Sequence, residues 1–132
     1  MAWDGSHFWV VGSATDTAYK YTSAGVYTGT NFSVSQDGTP MGITWDGTHF
    51  WMVGDNNNRV YLYSSTGTYT QVSFSVSGQD GTPRAITWDN VSLWVVGDDN
   101  NTAYKYTLTD VVGLQTASSD SSTGLPIYTR IK

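Results

Sequence analysis

Apolar and polar residues alternate along this chain in short runs, and clusters of Asp, Asn, Gly, Ser and Thr interrupt them. A period of two marks half-buried strands; no segment has the spacing of an amphipathic helix. The stretch from 41 to 83 carries the pattern most fully. Residues 41–45 predict a strand with Ile43 and Trp45 on one face and Thr44 on the other. Asp46-Gly47 signals a hairpin turn. Residues 49–53 are apolar enough to predict a strand buried on both faces. Gly54-Asp55-Asn56-Asn57-Asn58 predicts a tight turn built from residues that tolerate positive φ. Residues 59–63 alternate again, Ser64-Ser65-Thr66-Gly67 turns, and 69–77 predict a fourth strand with Val72, Phe74 and Val76 on one face. Gln79-Asp80-Gly81-Thr82-Pro83 closes the unit.

The unit recurs. Trp45-Asp46-Gly47-Thr48-His49-Phe50-Trp51-Met52-Val53-Gly54 is preceded by Trp3-Asp4-Gly5-Ser6-His7-Phe8-Trp9-Val10-Val11-Gly12 and followed, more loosely, by Trp88-Asp89-Asn90-Val91-Ser92-Leu93-Trp94-Val95-Val96-Gly97. Gly38-Thr39-Pro40, Gly81-Thr82-Pro83 and Gly124-Leu125-Pro126 lie 43 residues apart, and Tyr19-Lys20-Tyr21, Tyr61-Leu62-Tyr63 and Tyr104-Lys105-Tyr106 keep the same phase. Four short strands per repeat of this length are the mark of a β-propeller blade.

Residues 38–47, then Phe50-Trp51-Met52-Val53, then Asn57-Asn58-Arg59-Val60-Tyr61-Leu62-Tyr63 resemble the NHL-type propeller repeat. The first repeat has Asp16-Thr17, and the third Asn101-Thr102, where that pattern has asparagine–arginine. The resemblance implies a propeller of four-stranded blades and, within such folds, mostly a binding role.

The expected organisation is one all-β domain over 1–132, with repeats at about 1–37, 38–80 and 81–123 and a C-terminal strand at 124–132. Three blades leave two apolar faces uncovered, so ring closure by homo-oligomerisation is expected. Two copies give six blades, the ring size that the NHL resemblance implies; three copies, giving nine, are the alternative. The chain starts within a first strand, and residues 124–132 are expected to supply the inner strand of a partner's first blade by strand exchange. The competing expectation is a Ser/Thr-rich linker at 118–123 with the terminal strand packed elsewhere.

Composition narrows the function classes. All 11 acidic residues are Asp, the net charge is −5 and the pI is near 4.5, which argues against nucleic-acid partners. No apolar run is long enough for a membrane-spanning helix. There is no Cys, hence no disulfide and no thiolate metal site.

Candidate chemistry is sparse. His7 and His49 occupy equivalent positions in different repeats, so they read as turn-flanking residues and not as a converging pair. Asp55-Asn56-Asn57-Asn58 and Asp98-Asp99-Asn100-Asn101 offer oxygen ligands but lack a calcium-loop pattern, so turn chemistry is the better reading. The six Trp read as core residues, with stacking on sugars as the competing use; Lys20 and Lys105 read as solvated. Loops between second and third strands and between blades share one rim. The expected binding site is therefore Asp37, Asp55, Asn57, Asp80, Arg84, Asp98, Asp99 and Asn100, with Gln36 and Gln79 beside them.

The sequence thus reads as a non-enzymatic, self-assembling β-propeller that serves as a scaffold or protein-interaction module, with no cofactor and no metal site. Its expected partners are itself, as a homodimer or alternatively a trimer, and a protein or glycan ligand. A propeller lectin is the first alternative and a metal-dependent propeller hydrolase the second. The low charge density and the Ser/Thr/Gly/Asn-rich surface resemble phage or bacterial surface proteins, favouring a virion-associated or extracellular setting over the cytoplasm.

Overall fold

In each repeat an aspartate directly after the first strand fixes a hairpin. In the computed structural model Asp4 Oδ1 accepts the backbone N–H of Ser6 and of His7, at 2.9 and 2.8 Å, while its Oδ2 accepts the Trp9 indole N–H at 2.7 Å. Asp46 does the same for Thr48, His49 and Trp51, and Asp89 for Val91, Ser92 and Trp94. One carboxylate thus closes the turn and orients the Trp five residues on. Gly5 and Gly47 follow the aspartate at φ near 100°, a conformation open to glycine without steric cost.

The structure describes residues 1–108 in full, together with the backbone of Ser118–Asp120 and Leu125–Tyr128. They contain strands and no helix. The first sheet comprises β1 (Ala2–Trp3), β2 (Phe8–Gly12), β3 (Thr17–Tyr21) and β4 (Tyr27–Ser33). The second comprises β5 (Pro40–Trp45), β6 (Phe50–Gly54), β7 (Arg59–Tyr63) and β8 (Tyr69–Ser75). Both are antiparallel meanders in chain order. The third has β9 (Pro83–Trp88), β10 (Ser92–Gly97) and β11 (Ala103–Leu108), then β13 (Leu125–Tyr128) and β12 (Ser118–Asp120). There β13 lies parallel to β11, pairing Thr107 with Ile127 and Leu108 with Tyr128. Of the expected terminal strand over 124–132, residues 124 and 129–132 lie outside the described residues. Asp16, Asn58 and Asn101, at equivalent places in the turns before β3, β7 and β11, adopt φ of 48°, 51° and 51°. Their short polar side chains make that region accessible.

The core lies between sheets. Ala2, Trp9, Ala18, Phe32 and Val34 of the first sheet pack on Ile43, Phe50, Met52, Tyr61 and Tyr63 of the second. On its other side the second sheet offers Trp51, Val53, Leu62 and Phe74 to Ile86, Leu93, Val95 and Tyr106 of the third. Aromatic rings bridge both junctions, Trp9 with Phe50 at 5.0 Å and Phe74 with Tyr106 at 5.2 Å. Each fully buried side chain of this size contributes about 1.5–3 kcal/mol. Inner strands approach so closely that a Cβ on Gly42 would lie 3.2 Å from the Ala85 Cα. A side chain there would require the facing backbone of Ala85 and Ile86 to give by a few tenths of an ångström.

Equivalent positions differ at the two ends. Trp51, Val53 and Val60, all fully buried in the middle sheet, correspond to half-buried Trp94, Val96 at 41% exposure and exposed Ala103 in the third. Buried Met52 corresponds in the first sheet to Val10 at 38%, and half-buried Trp45 to Trp3 at 45%. Lys105 Nζ sits 5.7 Å from the Trp94 ring on the same open face, and Lys20 Nζ 5.6 Å from Trp9, so both stems lie along an indole.

The hairpin carboxylate makes stability pH-dependent. Burial works against ionisation of Asp4, but hydrogen bonds from Trp9, His7 and Ser6 outweigh it and hold the pKa at about 2, below the ordinary 3.8. The Trp94 indole and the Ser92 and Val91 amides likewise lower Asp89. A carboxyl depressed in the folded state contributes stability that is fully present above its unfolded pKa and lost as pH falls through the folded value. Denaturant unfolding followed by Trp fluorescence is therefore expected to show falling stability from about pH 4 down to about pH 2. The double variant Asp4→Asn/Asp89→Asn should show a flatter profile; an unchanged slope would sink this account.

Candidate functional site

The eight expected rim residues do gather at one end of the sheets, where the turns before β7 and β11 meet the segments entering β5 and β9. Their roles differ. Asp37 and Asp80, expected on the rim surface, are instead 0% and 2% exposed. The reason is a shared interaction. Asp37 Oδ1 accepts the N–H groups of Thr39 and Asn56, both at 3.0 Å, and Oδ2 accepts the Asn57 N–H at 2.9 Å. Asp80 Oδ1 accepts the Thr82 N–H at 2.8 Å and Oδ2 the Asn100 N–H at 3.3 Å. Each carboxylate enters the next turn and satisfies backbone donors that burial would otherwise strand.

The glutamine before each aspartate extends the clamp. Gln36 Oε1 accepts the Tyr63 hydroxyl at 2.5 Å, and Gln79 Oε1 accepts that of Tyr106 at 3.2 Å. Asn57 and Asn100 donate their side-chain amides to the backbone carbonyls of Gln36 and Gln79, at 3.3 and 2.6 Å. Burial pushes the Tyr63 and Tyr106 hydroxyls above their ordinary pKa, so both remain neutral donors. Gly54 and Gly97 line the same space; a Cβ at either would overlap the carboxyl group of Asp37 or Asp80.

The remaining rim residues are more exposed. Arg84 reaches across the junction, with Nη1 3.0 Å from Asp55 Oδ2 and Nε 3.2 Å from Asp98 Oδ2. Exposed pairs of this kind contribute little to stability. Asp99 accepts the Gly81 N–H at 3.0 Å and the Thr82 hydroxyl at 2.8 Å. The exposed polar groups are mostly engaged with neighbouring turns, and among the described residues no three His, Cys, Asp or Glu side chains are grouped to hold a metal ion. His7 and His49 end the first hairpin turns of different sheets, and His7 Nδ1 is 2.7 Å from the Ser6 hydroxyl.

One concavity of about 170 Å³ lies on the open face of the third sheet, lined by Ala85, Thr87, Trp94, Val96 and Ala103 among others. Sequence reading missed it, although Trp94 stands where Trp51 does. The same reading missed the Asp–Trp bonds, for which the fixed five-residue spacing in all three repeats is the signal.

Removing the clamp separates buried from exposed acids. Asp37→Ala strands three N–H donors and is expected to lower the unfolding free energy by about 2–4 kcal/mol. Gly54→Ala, which drives a methyl into the same carboxylate, should also destabilise, while Asp98→Ala should have far less effect. Equilibrium urea unfolding of the three variants measures the order; equal losses would refute it.

No family model matches the sequence, and no curated protein is significantly similar to it. Solved structures do resemble the fold. A catalytically inactive virginiamycin B lyase from Staphylococcus aureus, solved with quinupristin, superposes with a TM-score of 0.53 at 21% identity, over 76% of this chain and 37% of that one. A streptogramin B lyase gives 0.53 at 16%, over 86% and 41%. KlHsv2 with one loop replaced by a Gly-Ser linker gives 0.55 at 13%, over 93% and 40%. The chain thus spans about two fifths of these neighbours' length. Both the lyase and Hsv2 are β-propeller proteins, so all-β architecture of antiparallel four-stranded sheets with propeller-like neighbours is what this chain shares with them.

Proposed function

We propose that the chain is a non-enzymatic β-propeller module of NHL-like repeats, contributing three blades and closing a six-bladed ring with a second copy to form a binding scaffold. The observation that carries the reading is the contrast between equivalent positions: Val53 and Met52, fully buried in the middle sheet, against Val96 at 41% and Val10 at 38% on the end sheets. The open face of the third sheet repeats the face on which the third sheet itself sits. The open face of the first repeats the face covered by the first. Each is therefore the natural complement of the other, and a closed dimer satisfies both.

A binding role fits better than catalysis because the polar groups of the rim are committed to holding turns and the two histidines stand apart. The likeness to the lyases reaches the fold and transfers no catalytic residue. A protein or glycan ligand would meet the exposed parts of the rim at Asp55, Asn57, Arg84, Asp98, Asp99 and Asn100, with buried Asp37 and Asp80 fixing those loops from beneath.

Light scattering across a dilution series should give twice the 14.4 kDa chain mass, unchanged on dilution. A threefold mass would replace six blades by nine. The variant Val96→Asp places a charge in the proposed junction and is expected to weaken association at least about 10-fold while each chain stays folded by circular dichroism. A wild-type protein with the mass of a single chain overturns the reading.

A further inference from the structure

We infer that the end of the molecule opposite the rim binds neutral saccharides, at the foot of each junction between sheets, on the indoles of Trp45 and Trp88; the inference rests on the binding role proposed above and not on ring closure. Each repeat carries two tryptophans with different fates. Trp9, Trp51 and Trp94 give their indole N–H to Asp4, Asp46 and Asp89. Trp45 and Trp88 close β5 and β9 and are half-buried. Their Nε1 atoms have no acceptor among the described residues, yet neither is enclosed, so both N–H groups reach solvent. A buried indole N–H ordinarily finds a partner; an indole packed on one side with its N–H in water is suited to a ligand that is itself part apolar and part polar.

The fold holds these rings in place. In the register Pro40 faces Gly54 at the rim, and Trp45 faces Phe50 at the other end of the same two strands. The Trp45 and Phe50 ring centroids lie 4.6 Å apart at 50°, and Trp3 takes nearly the same pose on Phe8, at 4.7 Å and 54°. Trp88 faces Leu93. Trp45 also packs on the cluster that holds Trp9 of the preceding sheet, and Trp88 on the cluster that holds Trp51. Each indole is thus fixed where two sheets meet, and it loses little freedom when a ligand settles on it.

The surroundings indicate the ligand. Asp46-Gly47-Thr48 follows Trp45, with Gly47 and Thr48 exposed, and Asp89-Asn90-Val91, all exposed, follows Trp88. A protein partner anchored by aromatic residues needs an apolar patch around them, whereas these indoles are bordered mostly by small polar groups. A pyranose ring matches both parts of the site. Its C–H face lies on the indole, and its hydroxyls reach the indole N–H and the polar turn. The net charge of −5 and the aspartate after each indole select neutral sugars over acidic ones. Repetition of the arrangement at successive junctions favours a glycan with several units, because linked sites bind far more tightly than each does alone.

The indole N–H signals in a nuclear magnetic resonance spectrum read the two sets of tryptophans separately. Methyl glycosides of glucose, galactose, mannose and N-acetylglucosamine are added singly, at tens of millimolar, to isotope-labelled protein. At least one is expected to shift the Nε1 signals of Trp45 and Trp88, while those of Trp9, Trp51 and Trp94 stay in place. Trp45→Phe and Trp88→Phe keep an aromatic ring against the same neighbours and identify the two signals by removing them. Loss of the indole hydrogen bond should weaken binding at that junction about 5-fold, read from the Thr48 or Val91 amide in the following turn. Shifts of all indoles alike, shifts confined to the aspartate-bound set, or no shift with any of the four sugars would overturn the inference. Light scattering on the same sample keeps the two readings apart: a dimer indifferent to every sugar loses the saccharide site and keeps the ring, and a single-chain mass with the expected shifts does the reverse.

Discussion

A carboxylate taken out of water without donors costs several kcal/mol, so a fully buried aspartate must be held by nearly everything around it. Asp37 meets that condition through Thr39, Asn56 and Asn57, and Asp80 through Thr82 and Asn100. The rest of the junction follows from it. Gly54 and Gly97 have no side chain because the carboxylates occupy that volume. Gln36 and Gln79 sit one residue earlier and therefore reach Tyr63 and Tyr106. Beside the Asp80 clamp, Trp51 and Phe74 of the second sheet share one buried cluster with Leu93 and Tyr106 of the third.

The hairpin aspartates act within a sheet as the linker aspartates act between sheets. Asp4, Asp46 and Asp89 each join two turn amides to an indole, so the apolar bulk of Trp9, Trp51 and Trp94 is buried or half-buried with its one polar atom satisfied. Aspartate suits both tasks. Its short side chain keeps the carboxylate close to the backbone, where glutamate would overshoot, and the chain contains no glutamate.

Strand identity was legible from alternation: Arg59–Tyr63 is β7 as expected, Phe50–Gly54 is buried throughout, and Val72, Phe74 and Val76 are buried together. The rim residues lie where the turns before β7 and β11 meet the segments entering β5 and β9, but repeat phase carried no signal for their exposure. It could not tell which aspartates face water, because exposure there depends on whether a side chain points out or into the following turn. Asp37 and Asp98 look alike as turn residues, yet one is enclosed and the other exposed. The lysines show the same limit. Position put Lys20 and Lys105 on a solvated face, and only the folded sheets bring them over Trp9 and Trp94. The parallel pairing of β13 with β11 has no counterpart in the other repeats, so periodicity held no signal for it.

The clamp also has a direction. Asp37 waits for backbone groups 19 and 20 residues further on, and Gln36 for a hydroxyl 27 residues away. Every such bond points from a finished sheet toward one not yet made. Within one chain these bonds reach at most 27 residues ahead, so each sheet presents an acceptor and an apolar face on which its successor condenses. Order is passed along the polypeptide from start to finish, in steps short enough that loop closure costs little.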